Sequence, residues 1–517
     1  MSQAHAVPLA VDGGAPPSQA ERTSGLLDLA SAVPRPWPAL SDLALCAAVF
    51  GLHVFLTDEY YTLGTALYGG LEAATLVLLV TRYAKLRPPR LPWIEVCMAD
   101  HYLEFGLALL THPDSVGVTR IVPHPESFEF ASLVALVSIY VTIGAFGLTV
   151  RFARRFRGDF LLPTLTPEIL ERASPFHLVI AASYVVASVL LPAIKPVLLP
   201  VANILQMVFF HSPLLVVAVT TYLLSPRPRF LVQLLIAFGA IMLDVVTTSM
   251  LGDVLVPLIA VAAIWWRARW GLPLRFVAVA AAIVLVLQPV KSRYRYIRLS
   301  ADNYQTSVVD AWMQAFTETE DQTRSAHIQT QTTTDESVSR MSELTSFAYT
   351  VEVVPDSIPN TGGIVYPMFF ASIIPRVFWP EKPNMTRYAL NPFTNALGLT
   401  TPQMTEYTTT GITLDAQGYL EHGIAGTLAW KALLGFAIGF VCAYFGSGLA
   451  GVIAGGAILA PVCAGSGGGF QGAFGSLWQE VFGATLLVWF LWLVGGGYRR
   501  PILPLVSLTR RSRAATR

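Results

Sequence analysis

Phe128–Val150 reads FEFASLVALVSIYVTIGAFGLTV, and Arg151, Arg154, Arg155 and Arg157 follow it. A run of about 20 mostly apolar residues is what an α-helix needs to cross a bilayer. The arginines behind it mark the end that stays in the cytoplasm, because basic residues are retained on that side. This stretch therefore reads as a membrane-spanning helix of known direction.

Working outward, the same pattern recurs. Toward the N-terminus, apolar runs at Leu40–Thr57 and Thr62–Thr81 are joined by Asp58-Glu59-Tyr60-Tyr61, which makes the pair a helical hairpin. Arg82, Lys85, Arg87 and Arg90 follow and place that end, and the N-terminus, inside. Two inside clusters with one span between them require a further crossing, and Trp93–Thr111 is the segment available. It carries Glu95, Asp100, His101 and Glu104, which are costly at membrane depth. It reads either as a broken helix buried against its neighbours or as an interfacial hairpin.

Toward the C-terminus, runs at Pro175–Ile194 and Leu199–Leu224 lead to Arg227 and Arg229. Phe230–Ser249 and Val254–Trp266 lead to Arg267 and Arg269, and Pro273–Val290 leads out. Ile424–Phe445, Leu449–Gly465 and Ala473–Val494 precede a basic tail. Counting runs of spanning length gives an all-α integral membrane protein with about 12 transmembrane helices and both termini inside. The chain then divides into a disordered cytoplasmic tail (1–39), spans one to nine (40–290), a large extracytoplasmic loop with re-entrant or interfacial helices (291–423), the last three spans (424–496) and a basic cytoplasmic tail (497–517). Composition agrees: 54% of residues are hydrophobic and 13% charged, against about a quarter charged in soluble domains. Cys46, Cys97, Cys442 and Cys463 fall in or beside apolar runs and imply no disulfide framework.

Three stretches on the outer side carry chemistry. Val290-Lys291-Ser292-Arg293-Tyr294-Arg295-Tyr296-Ile297-Arg298 puts four basic residues on the side that usually lacks them. Arginine presents a fixed fork that suits phosphate oxygens, and the same cluster also suits plain headgroup contact. Ile374-Pro375-Arg376-Val377-Phe378-Trp379-Pro380-Glu381-Lys382-Pro383 follows the apolar run Val365–Ile374, too short to span, and reads as a re-entrant surface site or a structural corner. Thr413–Gly426 places Asp415, Glu421 and His422 at the outer rim, able to orient or deprotonate a hydroxyl or simply to cap a helix. No phosphate loop, zinc spacing or nucleophile elbow appears.

With many spans and one dominant late loop, the chain resembles the bacterial O-antigen and oligosaccharide repeat-unit polymerases. These are Wzy-like, GT-C-type membrane glycosyltransferases. The resemblance rests on the Ile-Pro-Arg…Trp-Pro-Glu-Lys-Pro stretch at 374–383 and on Gly418-Tyr419-Leu420-Glu421-His422-Gly423, and it covers mainly residues 290–430. Gly418 stands where the family pattern has a bulkier or acidic residue.

The resemblance implies transfer of an undecaprenyl-pyrophosphate-linked glycan to the non-reducing end of another lipid-linked repeat unit. The reaction would take place at the outer face of the bacterial cytoplasmic membrane, among its lipids. It implies no metal and no cofactor, no nucleic-acid partner, and a role for a chain-length-regulating co-polymerase. Arg293, Arg295 and Arg376 would then stabilise the departing pyrophosphate, with Lys291, Arg298, Lys382 and Arg387 assisting. Glu421, His422 or Asp415 would act on the acceptor hydroxyl, and Trp379 and Tyr366 would stack on sugar rings. Two other classes stay open. One is a polyprenyl-phosphate-dependent glycosyltransferase using Asp58 and Glu59. The other is a transporter or flippase, which needs charges at mid-membrane, where Asp244 is the main one read from the sequence.

Overall fold

A computed structural model describes residues 38–86, 91–113, 122–153, 162–190, 208–209, 211–248, 252–269, 290, 293–294, 297, 308–325, 343–363, 365–374, 379, 381, 391–399, 412–445, 448–464, 473–475 and 477–499. Among them the regular structure is entirely helical. In chain order the helices are α1 (Leu40–Leu56), α2 (Leu63–Leu86), α3 (Trp93–His101), α4 (Pro125–Ala153), α5 (Pro167–Leu190), α6 (His211–Leu224), α7 (Pro228–Thr248) and α8 (Gly252–Arg269). They continue with α9 (Val308–Ser325), α10 (Leu344–Val353), α11 (Val365–Ile373), α12 (Asn391–Ala396), α13 (Leu414–Tyr444), α14 (Gly448–Ala464) and α15 (Leu477–Val494).

Four of these, α2, α4, α13 and α15, hold windows long and apolar enough to cross a membrane. Large apolar side chains such as Phe55, Phe152, Leu235 and Phe482 are more than half exposed, as lipid-facing residues are. The chain is a helical membrane protein. The twelve spans expected from hydropathy are not reached among the described residues. Several apolar helices, α1 and α14 among them, fall short of a full span, and Pro273–Val290 lies outside the described residues except for Val290.

Local sequence explains the frame. Asp42 on α1 pairs with Lys85 on α2, fixing one end of that hairpin. At its other end Asp58 Oδ1 accepts the Tyr60 amide at 2.9 Å. Tyr60 and Tyr61 pack edge-on against Phe128 of α4, with centroids 6.0 and 5.2 Å away. Segment 93–110 is a continuous helical rod: α3, then a π-helical stretch (Tyr102–Gly106), then a 3-10 turn (Leu107–Leu110). Trp93, Met98, Phe105 and Leu109 are all buried, so the rod is walled in by its neighbours. Its last turn reaches the Asp58 end of the hairpin, where the Leu109 carbonyl accepts the Asp58 amide at 2.9 Å. The rod thus runs the length of α2, and its π-helical stretch carries polar side chains into the bundle, a common use of such bulges.

α13 is two helices. His422 (φ −144°, ψ 23°) and Gly423 (φ 63°, ψ −148°) break it. The Thr427 hydroxyl donates to the Asp415 carbonyl at 3.0 Å. In a straight helix those residues would lie about 18 Å apart along the axis. The chain therefore reverses at 422–423, and the half-helix Leu414–Glu421 folds back beside the long helix that begins at Ile424. Gly418 faces the backbone of Gly426 and Thr427, and only glycine leaves room for that approach. The long half then packs along α4 through Gly435 and Gly439, whose Cα positions abut the Thr142 and Phe146 carbonyls. Small residues four apart are the usual means of bringing membrane helices close.

Candidate functional site

The reversal in α13 builds the site from two sides. The half-helix starts at Thr413, whose hydroxyl accepts the Ala416 amide at 3.0 Å as an N-cap. Its far end loses carbonyl partners at the break, and the loop before α11 supplies them. Asn360 Nδ2 donates to the carbonyls of Tyr419 and Leu420 at 3.1 and 3.2 Å. The amides of Thr361 and Gly362 donate to those of Leu420 and Glu421. Replacing Asn360 with alanine is expected to cost about 1 kcal/mol, the net worth of such bonds. The check is faster amide exchange at 419–423 with little change elsewhere.

At the turn, Tyr366 of α11 meets His422: hydroxyl and Nε2 are 3.0 Å apart and the rings stack 18° from parallel. Tyr366 also lies against Trp430, with centroids 5.5 Å apart. Burial pushes the Tyr366 phenol above its usual range, and the Glu421 charge adds to this. The hydroxyl therefore stays protonated and available as a donor. Glu421 itself is fully buried beneath the turn, while His422 is exposed.

Asp415 departs from expectation. It is not at the rim with Glu421 and His422 but fully buried, and Lys431 Nζ lies 2.6 Å from its Oδ2. Ser138 of α4 donates to its other oxygen at 2.6 Å. The fold-back explains this: counted from Ile424, Lys431 is about 10 Å down the long helix, and the half-helix carries Asp415 to that depth. Lys431 Nζ is also 3.3 Å from His101 Nδ1, and His101 Nε2 is 3.6 Å from Glu72 Oε1. Glu104, one turn along the rod from His101, is buried as well. The amide of Glu343 donates to the Glu104 carbonyl at 3.1 Å, and burial lifts the Glu343 carboxyl to about 8.

The other sequence candidates divide. Arg293 is ion-paired to Glu318 of α9, and Gln314 and Arg293 together hold that carboxyl below its usual range. Tyr294 stacks on Trp312 at 4.6 Å, and Val290, Tyr294 and Ile297 form a small core with Ala311 and Ala315 of α9. Trp379 is partly exposed. Lys291, Arg295, Arg298, Arg376, Lys382 and Arg387 lie outside the described residues. Asp58 is engaged locally, by the Tyr60 amide and by His112 at 3.2 Å. Among the described residues no three His, Cys, Asp or Glu side chains are grouped to hold a metal ion.

Glu72 and Lys431 escaped the sequence reading because each sits alone within an apolar run. The signal was there: an ionisable residue inside a span marks a functional site by default.

Fold and site together define a helical membrane protein with a broken helix folded back over a buried charge cluster. Residues 169–480, more than half of the chain, match the family described as Domain of unknown function (DUF8712), and the chain belongs to that family. No curated protein and no solved structure matches it.

Proposed function

We propose that the protein is a polysaccharide repeat-unit polymerase. On this reading it transfers an undecaprenyl-pyrophosphate-linked glycan onto another lipid-linked unit at the outer face of the bacterial cytoplasmic membrane. The observation that carries this reading is the docking of the 360–366 segment on the α13 turn. Tyr366 of α11, eight residues ahead of Ile374-Pro375-Arg376 in the chain, bonds His422 beside Gly423, in the second stretch on which the family resemblance rests. The full reading includes about twelve spans with cytoplasmic termini, counted from the hydropathy pattern. The Asp58 end of the bundle then faces outward.

The chemistry follows from that geometry. The acceptor hydroxyl oxygen attacks the sugar carbon bonded to the pyrophosphate, and that carbon–oxygen bond breaks with its electron pair leaving on the lipid pyrophosphate. His422, exposed and oriented with its Nε2–H donating to the Tyr366 hydroxyl oxygen, takes the hydroxyl proton on Nδ1. Arg376 and its basic neighbours, which lie outside the described residues, are assigned on the resemblance alone to stabilising the developing pyrophosphate charge. A pyrophosphate leaves readily, so this route needs no metal.

Proton transfer by a positioned base is worth about 100-fold or more. In a deletion strain, His422→Ala and Arg376→Ala are expected to give single lipid-linked repeat units in place of polymer, at normal membrane levels of protein. Unchanged polymer in both would sink the reading. A second reading, transport, is favoured by the cluster at Glu72, His101, Asp415 and Lys431, which supplies the mid-membrane charges that a transporter needs. Wild-type-length polymer in both variants, with loss of export in Glu72→Gln at normal membrane levels of protein, would favour transport.

A further inference from the structure

Lys431 and Asp415 satisfy each other's charge, but the cluster around them is acid-rich. Glu72, 2% exposed, and Glu104, 8% exposed, are carboxyl groups whose Oε2 atoms have no hydrogen-bond partner among the described residues. Lys431 is the fixed cation that faces them there. An unpaired buried charge is far more costly than a buried neutral acid, so such a cluster stays neutral by binding protons.

Geometry says where the proton sits. Lys431 Nζ, a donor only, lies 3.3 Å from His101 Nδ1, so that nitrogen must accept. The imidazole is then neutral, with its own hydrogen on Nε2, which lies 3.6 Å from Glu72 Oε1, outside hydrogen-bond reach of it. A second proton on His101 would put N–H against the ammonium. The added proton therefore belongs on the Glu72 carboxyl.

We propose that Glu72 is a proton-binding site coupled through His101 and Lys431 to the docking of the half-helix Leu414–Glu421. With Glu72 neutral, Lys431 is held by Asp415 and the half-helix is clamped to the long helix. When Glu72 loses its proton, its charge competes with Asp415 for the same ammonium and the clamp weakens. The surroundings fit this assignment. From α1, His53 Nδ1 is 3.0 Å from the Tyr102 hydroxyl, and Tyr102 and Glu72 both lie against Gly106. The rod also contributes Cys97, Asp100 and Glu104, and Glu343 stands before α10. α4 offers the hydroxyls of Ser138 and Thr142, bonded to Asp415 and to the Lys431 carbonyl, while its Glu129 is engaged by Thr62 toward the Asp58 end.

The inference does not rest on glycosyl transfer, and its test reads no polymer. Amide-exchange protection of residues 414–421 would be followed against pH on the full chain in lipid nanodiscs, corrected for intrinsic exchange. Wild type is expected to lose about tenfold in protection as pH rises, an ordinary size for local opening. Glu72→Gln, a neutral mimic of the acid, is expected to hold high protection throughout and to lack one protonated-carboxyl band in its infrared spectrum. Constant protection in wild type, or the same pH profile in Glu72→Gln, would overturn the proposal. The first of these needs no variant to fold.

Discussion

Lys431→Met is expected to be among the most damaging single substitutions in the chain. It removes the ammonium that lies 2.6 Å from Asp415 and leaves that carboxylate, fully buried, with Ser138 as its remaining side-chain partner. Breaking a buried pair from one side costs about 3–5 kcal/mol, because the surviving charge has lost its compensation. Total stabilities run at about 5–15 kcal/mol, so the loss is a large share. Purified protein should melt many degrees lower in detergent, and membrane levels should fall. Adding Asp415→Asn removes the stranded charge, so the double variant should recover much of the loss. That recovery distinguishes an ion pair from mere packing: two residues that contributed only volume would lose stability additively. If the double variant melts no higher than Lys431→Met, the pair is not what holds the half-helix down.

The legibility of this fold varies along the chain for physical reasons. α4 was readable because a spanning helix declares itself by length, apolarity and a basic end, all local properties. The rod at 93–110 was readable only as two alternatives. Its carboxylates are tolerable when walled in by other helices, and a sequence does not say what walls it in. The break in α13 is legible as the start of a span at Ile424, but the fold-back is not. The reversal depends on Gly418 meeting Gly426 across the turn, a contact between positions whose proximity only the fold creates.

The candidate site shows the same division. Glu421 and His422 stand out by residue type next to an apolar run and Tyr366 through the family resemblance, and the fold brings them together. Arg293 stands out as part of a basic cluster on the outer side, yet it packs with α9. Asp415 was placed at the wrong depth because its depth is set by the reversal. Glu72 and Lys431 were visible as charges inside apolar runs, and what was missing was their common neighbour, His101.

Alanine at Gly426 tests the reversal most directly. A Cβ there would press on the Gly418 carbonyl oxygen and lie 2.9 Å from its carbon. A Cβ at Gly418 would lie 2.7 Å from the amide nitrogen and Cα of Thr427. Both obstacles are backbone, so neither can swing aside, and the two halves of α13 must separate. Overpacking of this kind costs about 1–3 kcal/mol, and occasionally more. Here the separation also pulls Asp415 from Lys431, so the loss should reach the upper end of that range or exceed it.

Gly423→Ala acts differently. Its Cβ would touch nothing within 4 Å, but φ 63° with ψ −148° is a region that only glycine occupies readily. That strain costs about 1–3 kcal/mol. Gly144 in α4 is the control, since a Cβ there also meets nothing within 4 Å and the backbone is helical. Alanine at 144 should be neutral or slightly stabilising, by up to about 1 kcal/mol of helix propensity. The expected order of melting temperatures is Gly144→Ala at or above wild type, then Gly423→Ala, then Gly418→Ala and Gly426→Ala. A straight α13 would predict the reverse for 423, where alanine would relieve a glycine in mid-helix and raise the melting temperature. The sign of that one shift therefore decides whether the chain turns back at His422-Gly423.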